Sequence, residues 1–333
     1  MPLATHQECL SFDRGISRDI VHRASIAEVF LTDTEAAEDG VVFAAQLPRN
    51  HSYFSDHRGA CTTYDPLLIV EVFRQVAIDY AHIYQGVDRS QKFVFNSADF
   101  TVVSNEALTI GSCPGHCTIT ARVVDEKLHD SQVTGLTLDM AAYIDGVVAA
   151  TETMVYQWLP SDVWDRIRSR SRSALNLPDT PSRPQHRAAT RMLASAVGRH
   201  TPRNAILANP AHHGDSISAL TLIDVDYPSL FDHELDHVPG MLQFEAARQI
   251  SMAAANVILG LDTSRLVMDG LTISFDSFGE LEIDTVAHAT AVADPDNDGT
   301  VIATLTLTQG EIVIASGRVH LAMIPASVRT LIQ

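Results

Sequence analysis

The sequence is poor in positive charge, in cysteine and in long apolar runs, and each shortage excludes a class of protein. Its 23 Lys and Arg face 41 Asp and Glu, and the resulting net charge of −18 disfavours binding to nucleic acid or to an anionic membrane surface. No apolar run approaches the ~18 residues of a membrane-spanning helix. The N-terminus, MPLATHQECLSFDRG, also lacks the basic and apolar regions of a signal peptide. We therefore expect a cytoplasmic protein that binds neither nucleic acid nor membrane.

Only four cysteines are present, and Cys113 and Cys117 form a single C-x3-C pair. A zinc site or a disulfide framework needs further paired cysteines, so the spacing predicts reduced thiols and no metal centre. In contrast, the chain is long and rich in hydrophobic residues. Its 333 residues, 46% of them hydrophobic, are enough for two domains with sizeable cores.

The most informative feature is an internal repeat built on two apolar segments. The segment DPLLIVEVFRQVAIDYAHIYQG at 65–86 matches PGMLQFEAARQISMAAANVILG at 239–260, and both end on the glycine typical of a helix C-terminus. The match predicts two equivalent long helices that carry the same polar triplet. The aligned triplets are Glu71, Arg74 and Gln75 in the first helix and Glu245, Arg248 and Gln249 in the second, at a constant offset of 174.

Alternating, β-branched runs surround both helices. VVFAAQL at 41–47 and ALTLIDVDY at 219–227 precede the helices, and four further runs follow each one. Turn dipeptides at 145–146, 298–299 and 309–310 favour antiparallel hairpins. Each half therefore has the pattern of two strands, one long helix and four strands. This pattern predicts a duplicated domain of the α+β class.

The segment between the halves, from Pro160 to Arg203, has a different composition. It contains nine Arg and three Asp and is rich in Ser and Pro, which indicates a linker with a short helix near 188–197. The predicted boundaries are 1–159 for the first domain, 160–203 for the linker and 204–333 for the second domain.

Both long helices are apolar on nearly every side, which is typical of a buried helix. A sheet wrapped around a buried central helix fits both halves. Within each helix, Glu at i, Arg at i+3 and Gln at i+4 share one face. A buried carboxylate must be paired, so the triplet is either an internal salt bridge that fixes the helix or part of a reactive site.

Polar loops lead into both helices and add support for the triplet being part of a reactive site. His51, His57 and Asp65 precede the first helix, and His233, Asp236 and His237 precede the second. The free backbone amides at the start of a helix, such as that of Gly240, can stabilise an oxyanion or a phosphate. A loop histidine, a helical glutamate and helix amides together suit acyl transfer or proton transfer.

The run DHVPGMLQFEAARQ resembles the central-helix motif of the hotdog fold in the dehydratases of fatty-acid synthesis. The fuller patterns LPRNHSYF…DPLLIVEVFRQ and YPSLF…DHVPGMLQFEAARQ resemble the A-factor biosynthesis (AfsA) family, tandem-hotdog proteins of streptomycetes and relatives, from about Val21 to Ile324. The resemblance implies a double hotdog, in which each half wraps an antiparallel sheet around a long central helix.

It also implies an acyltransferase and cyclase that makes precursors of γ-butyrolactone, butenolide or furan signalling molecules. A β-ketoacyl thioester on acyl carrier protein would join dihydroxyacetone phosphate, and the ester would close by an aldol-type condensation without a metal or redox cofactor. In the hotdog dehydratases the catalytic histidine lies 14 residues before the helical glutamate. Those positions hold His57 in the first half and Phe231 in the second.

The resemblance and the residue pattern agree on Glu71, Glu245 and Arg248 but do not set the role of each, so the roles are hypotheses. Glu245 would be the general base, Arg248 would bind phosphate or hold Glu245 ionised, and His237 with the Gly240 amide would polarise the thioester carbonyl. The other candidates are a further catalytic glutamate and several substrate-binding residues. They are Glu71, Arg74 and Gln75, which form either a partner site or a structural copy, and Gln249, Asp236 and His51.

Two other functions stay open at this point. A hotdog dehydratase or thioesterase would release an alkenoyl product or a free acid and ignore dihydroxyacetone phosphate, and a non-catalytic protein would only bind an acyl chain or a butyrolactone. The sequence also leaves open whether the chain forms a homodimer.

An acidic carrier protein needs a local positive patch on this acidic chain, and the arginine-rich segment is the densest candidate. The alternative is a solvated linker that contacts nothing. The arginines are Arg166, Arg168, Arg170 and Arg172, with Arg183, Arg187 and Arg191 further along.

Overall fold

A computed structural model describes residues 10–57, 62–184 and 189–324. These residues form two compact units that do not follow the order of the chain. The loop before the first long helix belongs to unit 2, whereas residues 232–234 before the second belong to unit 1. Unit 1 contains residues 10–49, 68–181 and 232–234, and unit 2 contains residues 50–57, 62–67, 182–184, 189–231 and 235–324.

Unit 1 consists of a six-stranded antiparallel sheet and a long helix. The strands lie in the order β1-β2-β4-β5-β6-β3. The helix α1 (Pro66–Asp79) continues into a π-helix at Tyr80–Tyr84. The strands are β1 (Leu31–Ala37), β2 (Gly40–Leu47), β3 (Lys92–Val102), β4 (Gly115–His129), β5 (Gln132–Ile144) and β6 (Val147–Leu159).

Unit 2 repeats this arrangement around the helix α3 (Gly240–Leu259). Its strands lie in the order β7-β8-β10-β11-β12-β9, which matches unit 1 strand for strand. The predicted pattern of two strands, a long helix and four strands is therefore confirmed in both halves. The strands are β7 (Leu207–His213), β8 (Ser216–Thr221), β9 (Leu266–Phe275), β10 (Thr285–Ala293), β11 (Thr300–Gln309) and β12 (Ile312–Met323).

Both long helices are buried, as their all-round apolar sequences predict. Every residue of α1 is buried except Arg74, and α3 is buried continuously from Leu242 to Ala255. The helix α3 ends at Gly260, whose φ of 69° is the left-handed conformation that glycine adopts readily. The two triplets therefore lie in low-dielectric surroundings, where an unpaired charge is costly.

One predicted strand is too long. The run at 219–227 leaves the sheet at Thr221. The carboxylate of Asp224 accepts the backbone N–H of Asp226, and its carbonyl accepts that of Tyr227. These bonds close a turn in place of the ladder, which is the usual effect of aspartate in such a position.

The arginine-rich segment is not an irregular linker throughout. It begins with the helix α2 (Ser161–Ala174), and the predicted short helix is a 3-10 turn at Ala194–Val197. Among the described residues, no helix is long and apolar enough to cross a membrane.

The prediction that the arginines of this segment form one exposed docking patch is wrong. Arg168 and Arg172 are buried on the inner face of α2, and the Arg172 Nε donates to the Pro178 carbonyl at 2.6 Å. Arg166 and Arg170 are exposed, and Arg166 pairs with Asp162 at 2.9 Å. The remaining arginines are Arg183, which pairs with Asp226, Arg191, which donates to backbone carbonyls, and Arg187, which lies outside the described residues.

Candidate functional site

The centre of unit 2 is a charged cluster on the second turn of α3. Glu245 is fully buried, and its Oε1 accepts the Arg199 Nε at 2.9 Å while its Oε2 accepts the Arg248 Nη2 at 2.5 Å. The side-chain amide of Gln249 also donates to Oε1. The predicted triplet is thus assembled on one helix face, and both oxygens of Glu245 are engaged.

Asp65, which directly precedes α1, is part of the same cluster. Its Oδ1 accepts the Arg248 Nη1 at 2.7 Å and the backbone N–H of Leu67 at 2.9 Å. Burial alone would raise the pKa of Asp65, but the positive charge of Arg248 outweighs it and lowers the pKa to about 2. Arg248 therefore bridges the carboxyl groups of Asp65 and Glu245.

His57 lies beside Asp65 in a buried position. Its Nδ1 is 3.2 Å from the Phe54 carbonyl and 3.9 Å from the Asp65 Oδ2. Burial lowers the pKa of His57, and this effect exceeds the opposing charge of Asp65. The imidazole is therefore neutral near pH 7. Because the Phe54 carbonyl accepts a proton from Nδ1, the lone pair lies on Nε2.

Arg199 was missed in the sequence because it lies in the arginine-rich segment, far from either helix. It is fully buried, its Nη1 donates to the Tyr53 carbonyl at 2.8 Å, and its guanidinium lies 4.3 Å from the centre of the Tyr53 ring. The preceding Gly198 has a φ of 73°, and this left-handed residue turns the chain so that Arg199 enters the interior.

A second repeat would have revealed this arginine. VHRASIAEVF at 21–30 matches VGRHTPRNAI at 197–206 at an offset of 176, which aligns Arg23 with Arg199. His22, like Gly198, has a positive φ, of 52°. Each segment then forms a 3-10 turn, at Ile26–Glu28 and at Pro202–Asn204.

Unit 1 contains the corresponding cluster around Glu71. Arg23 lies 2.5 Å from the Glu71 Oε1, and Arg74 donates to both oxygens at 2.8 Å. Gln75 donates to Oε1 at 2.7 Å. Burial alone would raise the pKa of Glu71, but the charges of Arg23 and Arg74 lower it to about 2.

Equivalent aspartates anchor the loops in the two units. In unit 2 the Asp56 carboxylate accepts the backbone N–H of Thr201 at 3.0 Å, and in unit 1 the Asp232 carboxylate accepts that of Ser25 at 3.0 Å. Each aspartate is followed by a histidine, His57 or His233.

The constant offset of 174 places Phe231 opposite His57, but the structural counterpart of His57 is His233. The loop is two residues shorter in the second half, so the offset there is 176. The His233 Nδ1 lies 3.6 Å from Asp232, and burial lowers the pKa of His233. Each unit thus combines a loop Asp-His pair with an Arg-Glu-Arg-Gln cluster.

The other predicted residues lie at the entrance to α3 and in the loop before α1. The His237 Nδ1 is 2.6 Å from the Asp236 Oδ1, and the His237 ring packs edge-on against Phe278. Gly240 is the first residue of α3, directly after Pro239. In the other loop, the His51 Nδ1 accepts the backbone N–H groups of Tyr53 and Phe54 at 3.2 Å, so its observed role is to shape that turn.

The family of the chain is shown by comparison with known proteins. The family model described as the A-factor biosynthesis hotdog domain (AfsA) matches residues 4–160 and 180–325. The chain belongs to the AfsA family. The model matches both halves of the sequence, which agrees with the duplicated architecture.

Curated relatives in the AfsA family are named as enzymes. A 2-oxo-3-(phosphooxy)propyl 3-oxoalkanoate synthase from Streptomyces virginiae is 30% identical over 239 residues, covering 72% of this chain and 76% of the relative. A protein of the same name from Streptomyces coelicolor is 27% identical over 232 residues, covering 69% of each. The chain is an enzyme of this family.

Solved structures with similar folds are themselves hotdog-type proteins. A putative oleoyl thioesterase from Lactobacillus plantarum gives a TM-score of 0.52 at 9% identity, covering 87% of this chain and 98% of that one. The dehydratase domain of RzxB from Pseudomonas fluorescens gives 0.51 at 11% identity, covering 87% and 97%. At such identities the likeness concerns the fold alone, and the tandem hotdog expected for an AfsA-family chain is confirmed.

Proposed function

We propose that this enzyme transfers a 3-oxoacyl group from an acyl carrier protein thioester to the free hydroxyl of dihydroxyacetone phosphate. The name of the relatives describes that ester, because its alcohol part is a three-carbon chain with a ketone and a phosphate. The observation that carries the proposal is the neutral, buried His57 beside Asp65, within the unit that also holds Glu245 and its two arginines. Such a group can accept the proton that an attacking hydroxyl must lose.

In the proposed step the hydroxyl oxygen attacks the thioester carbonyl, and its proton passes to the His57 Nε2. Asp65, at 3.9 Å from the Nδ1 of the same ring, stabilises the imidazolium that forms. The carbon–sulfur bond then breaks, and the thiolate takes the proton from His57. The products are the phosphorylated ester and the free carrier thiol.

The geometry supports a positioning role for Glu245 in preference to the general-base role that the sequence suggested. Both oxygens of Glu245 already accept hydrogen bonds from guanidinium groups, so the carboxylate is engaged within the cluster and not directed at a substrate hydroxyl. Of the two roles for Arg248, binding of Glu245 fits better than binding of phosphate, because its two terminal nitrogens are occupied by Glu245 and Asp65.

The start of α3 remains the proposed site for the thioester carbonyl. The amide of Gly240 lies in the first turn of a 20-residue helix, where free N–H groups stabilise a developing negative charge. His237 is the proposed second donor through its Nε2, which requires a proton on both ring nitrogens because the Nδ1 donates to the Asp236 carboxylate.

The ester can then react with itself. The carbon between the two carbonyls of the 3-oxoacyl group is acidic, and its attack on the ketone of the three-carbon unit closes a five-membered ring with loss of water. Butyrolactones, butenolides and furans all follow from such an intermediate, so the ring type is decided after the transfer.

Mass spectrometry of the purified protein tests the transfer directly. With a 3-oxoacyl N-acetylcysteamine thioester and dihydroxyacetone phosphate, we expect the phosphorylated ester or its cyclised form. Formation of a free 3-oxo acid alone would indicate a thioesterase, and an alkenoyl product from a 3-hydroxyacyl thioester would indicate a dehydratase. No turnover of either thioester, together with tight binding of an acyl ligand, would indicate a binding protein.

Replacing the base tests its assignment. His57→Asn should lower kcat by a factor of about 100 or more, and the matched control His213→Asn, on an exposed strand end of unit 2, should not. In the wild type, activity requires neutral His57, so it should persist below pH 6.5 and fall only as the pH drops through the lowered pKa. Full activity of His57→Asn would refute the assignment.

A second substitution tests the cluster that surrounds the base. Glu245→Gln should also lower product formation by a factor of about 100 or more, because it leaves Arg199 and Arg248 with one carboxylate in place of two. Circular dichroism shows whether the variant is folded. A folded Glu245→Gln protein with full activity would remove Glu245 from the site.

A further inference from the structure

Three polar atoms in the unit 2 cluster have no hydrogen-bond partner among the described residues. They are the Tyr53 hydroxyl, the Arg199 Nη2 and the Asp65 Oδ2. The three side chains are at most 1% exposed, so bulk water does not reach them. Buried polar groups are almost always hydrogen-bonded, and a group of three unbonded atoms requires an explanation.

These atoms are held in place by the other contacts of their side chains. Arg199 is fixed because its Nε bonds Glu245 and its Nη1 bonds the Tyr53 carbonyl. Asp65 is fixed because its Oδ1 bonds Arg248. The Arg199 Nη1 lies 3.7 Å from the Asp65 Oδ2, and the Tyr53 ring packs against the same guanidinium, so the three residues adjoin one another.

Their chemistry defines the ligand that would satisfy them. The Tyr53 hydroxyl and the Arg199 Nη2 are donors and require an acceptor such as a carbonyl oxygen, whereas the Asp65 Oδ2 is an acceptor and requires a donor such as a hydroxyl. The cluster holds two arginines and two carboxylates, and His57 is neutral, so its charges cancel. A neutral hydroxyketone fits this environment, and a phosphate group beside Asp65 does not.

We propose that Tyr53, Arg199 and Asp65 form the subsite for the hydroxyketone part of the acyl acceptor. The ketone oxygen accepts from the Tyr53 hydroxyl and the Arg199 Nη2. In the bound acceptor the hydroxyl donates to the Asp65 Oδ2, and it turns to the His57 Nε2 when it attacks the thioester. This inference rests on the proposed function for the identity of the acceptor as dihydroxyacetone phosphate. It adds that the enzyme recognises the ketone itself and would discriminate against an acceptor in which the ketone is reduced.

Tyr53→Phe removes only the hydroxyl and keeps the ring that packs on Arg199. The chain offers a matched control, because Tyr156 in unit 1 also has a buried hydroxyl without a partner among the described residues. Neither substitution breaks a described hydrogen bond, so both variants should keep or raise the melting temperature. Calorimetric titration with dihydroxyacetone phosphate should give a Kd roughly tenfold weaker for Tyr53→Phe, as for the loss of one hydrogen bond, and an unchanged Kd for Tyr156→Phe.

A second comparison tests recognition of the ketone. The wild type should favour dihydroxyacetone phosphate over sn-glycerol 3-phosphate, and Tyr53→Phe should reduce that preference. Unphosphorylated dihydroxyacetone should compete with the acceptor in the wild type, whereas glycerol should not. Equal Kd values for the wild type and Tyr53→Phe, or a crystal structure of the complex with only water on the three atoms, would overturn the subsite.

The two proposals can fail separately. A wild-type protein that forms the ester while Tyr53→Phe binds the acceptor normally would retain the proposed function and refute the subsite. A wild-type protein that binds dihydroxyacetone phosphate through Tyr53 but forms no ester would retain the subsite and refute the proposed function.

Discussion

Buried carboxyl groups in unit 1 differ in whether a positive charge lies beside them. Glu71 contacts Arg23 and Arg74, and its pKa falls to about 2. Both oxygens of Glu152 lack a hydrogen-bond partner among the described residues, and burial, with a smaller contribution from Asp99, raises its pKa well above the usual value. Paired groups such as Glu71 stabilise the fold above their unfolded pKa, and that contribution is lost as the pH falls toward 2. Unpaired buried carboxyl groups have the opposite effect: because their pKa is raised in the fold, they make the fold less stable as the pH rises.

Asp79, at the junction of α1 and the π-helix, gives a measurable case. Burial raises its pKa to about 7 from an unfolded value near 3.8. The folded state therefore keeps a proton that the unfolded state loses, and stability falls as the pH rises from about 4 to above 7, by at most ~4 kcal/mol. Asp79→Asn removes this dependence, so we expect a higher melting temperature than the wild type at pH 8 and little difference at pH 4.5.

The control for Asp79 is Asp165→Asn on the exposed face of α2, which should leave the melting temperature unchanged at both pH values. Differential scanning calorimetry measures all three proteins. If Asp79→Asn has the same effect at both pH values, the carboxyl of Asp79 is ionised in the fold and burial does not raise its pKa.

At the scale of the element, the turn before each buried arginine has its own conformational requirement. His22 and Gly198 both have positive φ, and only glycine adopts this conformation without a penalty. A Cβ on Gly198 would lie 3.6 Å from the Met252 side chain, an ordinary contact, so substitution changes backbone strain alone. Gly198→Ala should cost ~1–2 kcal/mol, and His22→Gly should relieve strain provided that the His22 contact with His82 adds little.

Chemical denaturation tests this comparison. Gly111→Ala is the control, because Gly111 has no positive φ and nothing within 4 Å of an added Cβ. If Gly198→Ala costs no more than Gly111→Ala, the left-handed turn does not strain alanine, and glycine at this position is not required to turn Arg199 into the interior.

Elements with a strong periodic pattern could be predicted from the sequence, and so could contacts within one helix. The triplet Glu245, Arg248 and Gln249 needed only helical spacing. Helical spacing did not assign Arg199 and Asp65 to the cluster, because their places depend on loops that pack against residues more than 45 positions away. The separate repeat at offset 176 was the available signal for Arg199, and the constant offset of 174 concealed it.

At the scale of the whole molecule, duplication has produced two clusters with the same residue types and different surroundings. Arg199 and Arg248 in unit 2 are at most 5% exposed, whereas Arg23 and Arg74 in unit 1 are 12% and 16% exposed. His233 in unit 1 is 41% exposed. The predicted domain boundaries, 1–159, 160–203 and 204–333, describe the repeat along the chain and stay a proposal. Unit 1 includes residues 232–234 and unit 2 includes residues 50–57 and 62–67, so the compact units do not follow these boundaries.

The exposure of the unit 1 cluster leads to the last prediction, which decides between a second site and a structural copy. Solvent can screen Arg23 and Arg74 when Glu71 is neutralised, so Glu71→Gln should cost less than the ~3–5 kcal/mol of a fully buried broken pair. We propose that the same exposure admits a ligand to this cluster. We therefore expect Glu71→Gln to lower the melting temperature by only a few degrees and product formation by at least about tenfold. Calorimetry beside the ester assay measures both, with Glu245→Gln as the reference for a fully buried pair. A large fall in melting temperature with normal activity of the folded fraction would make the Glu71 cluster a structural copy.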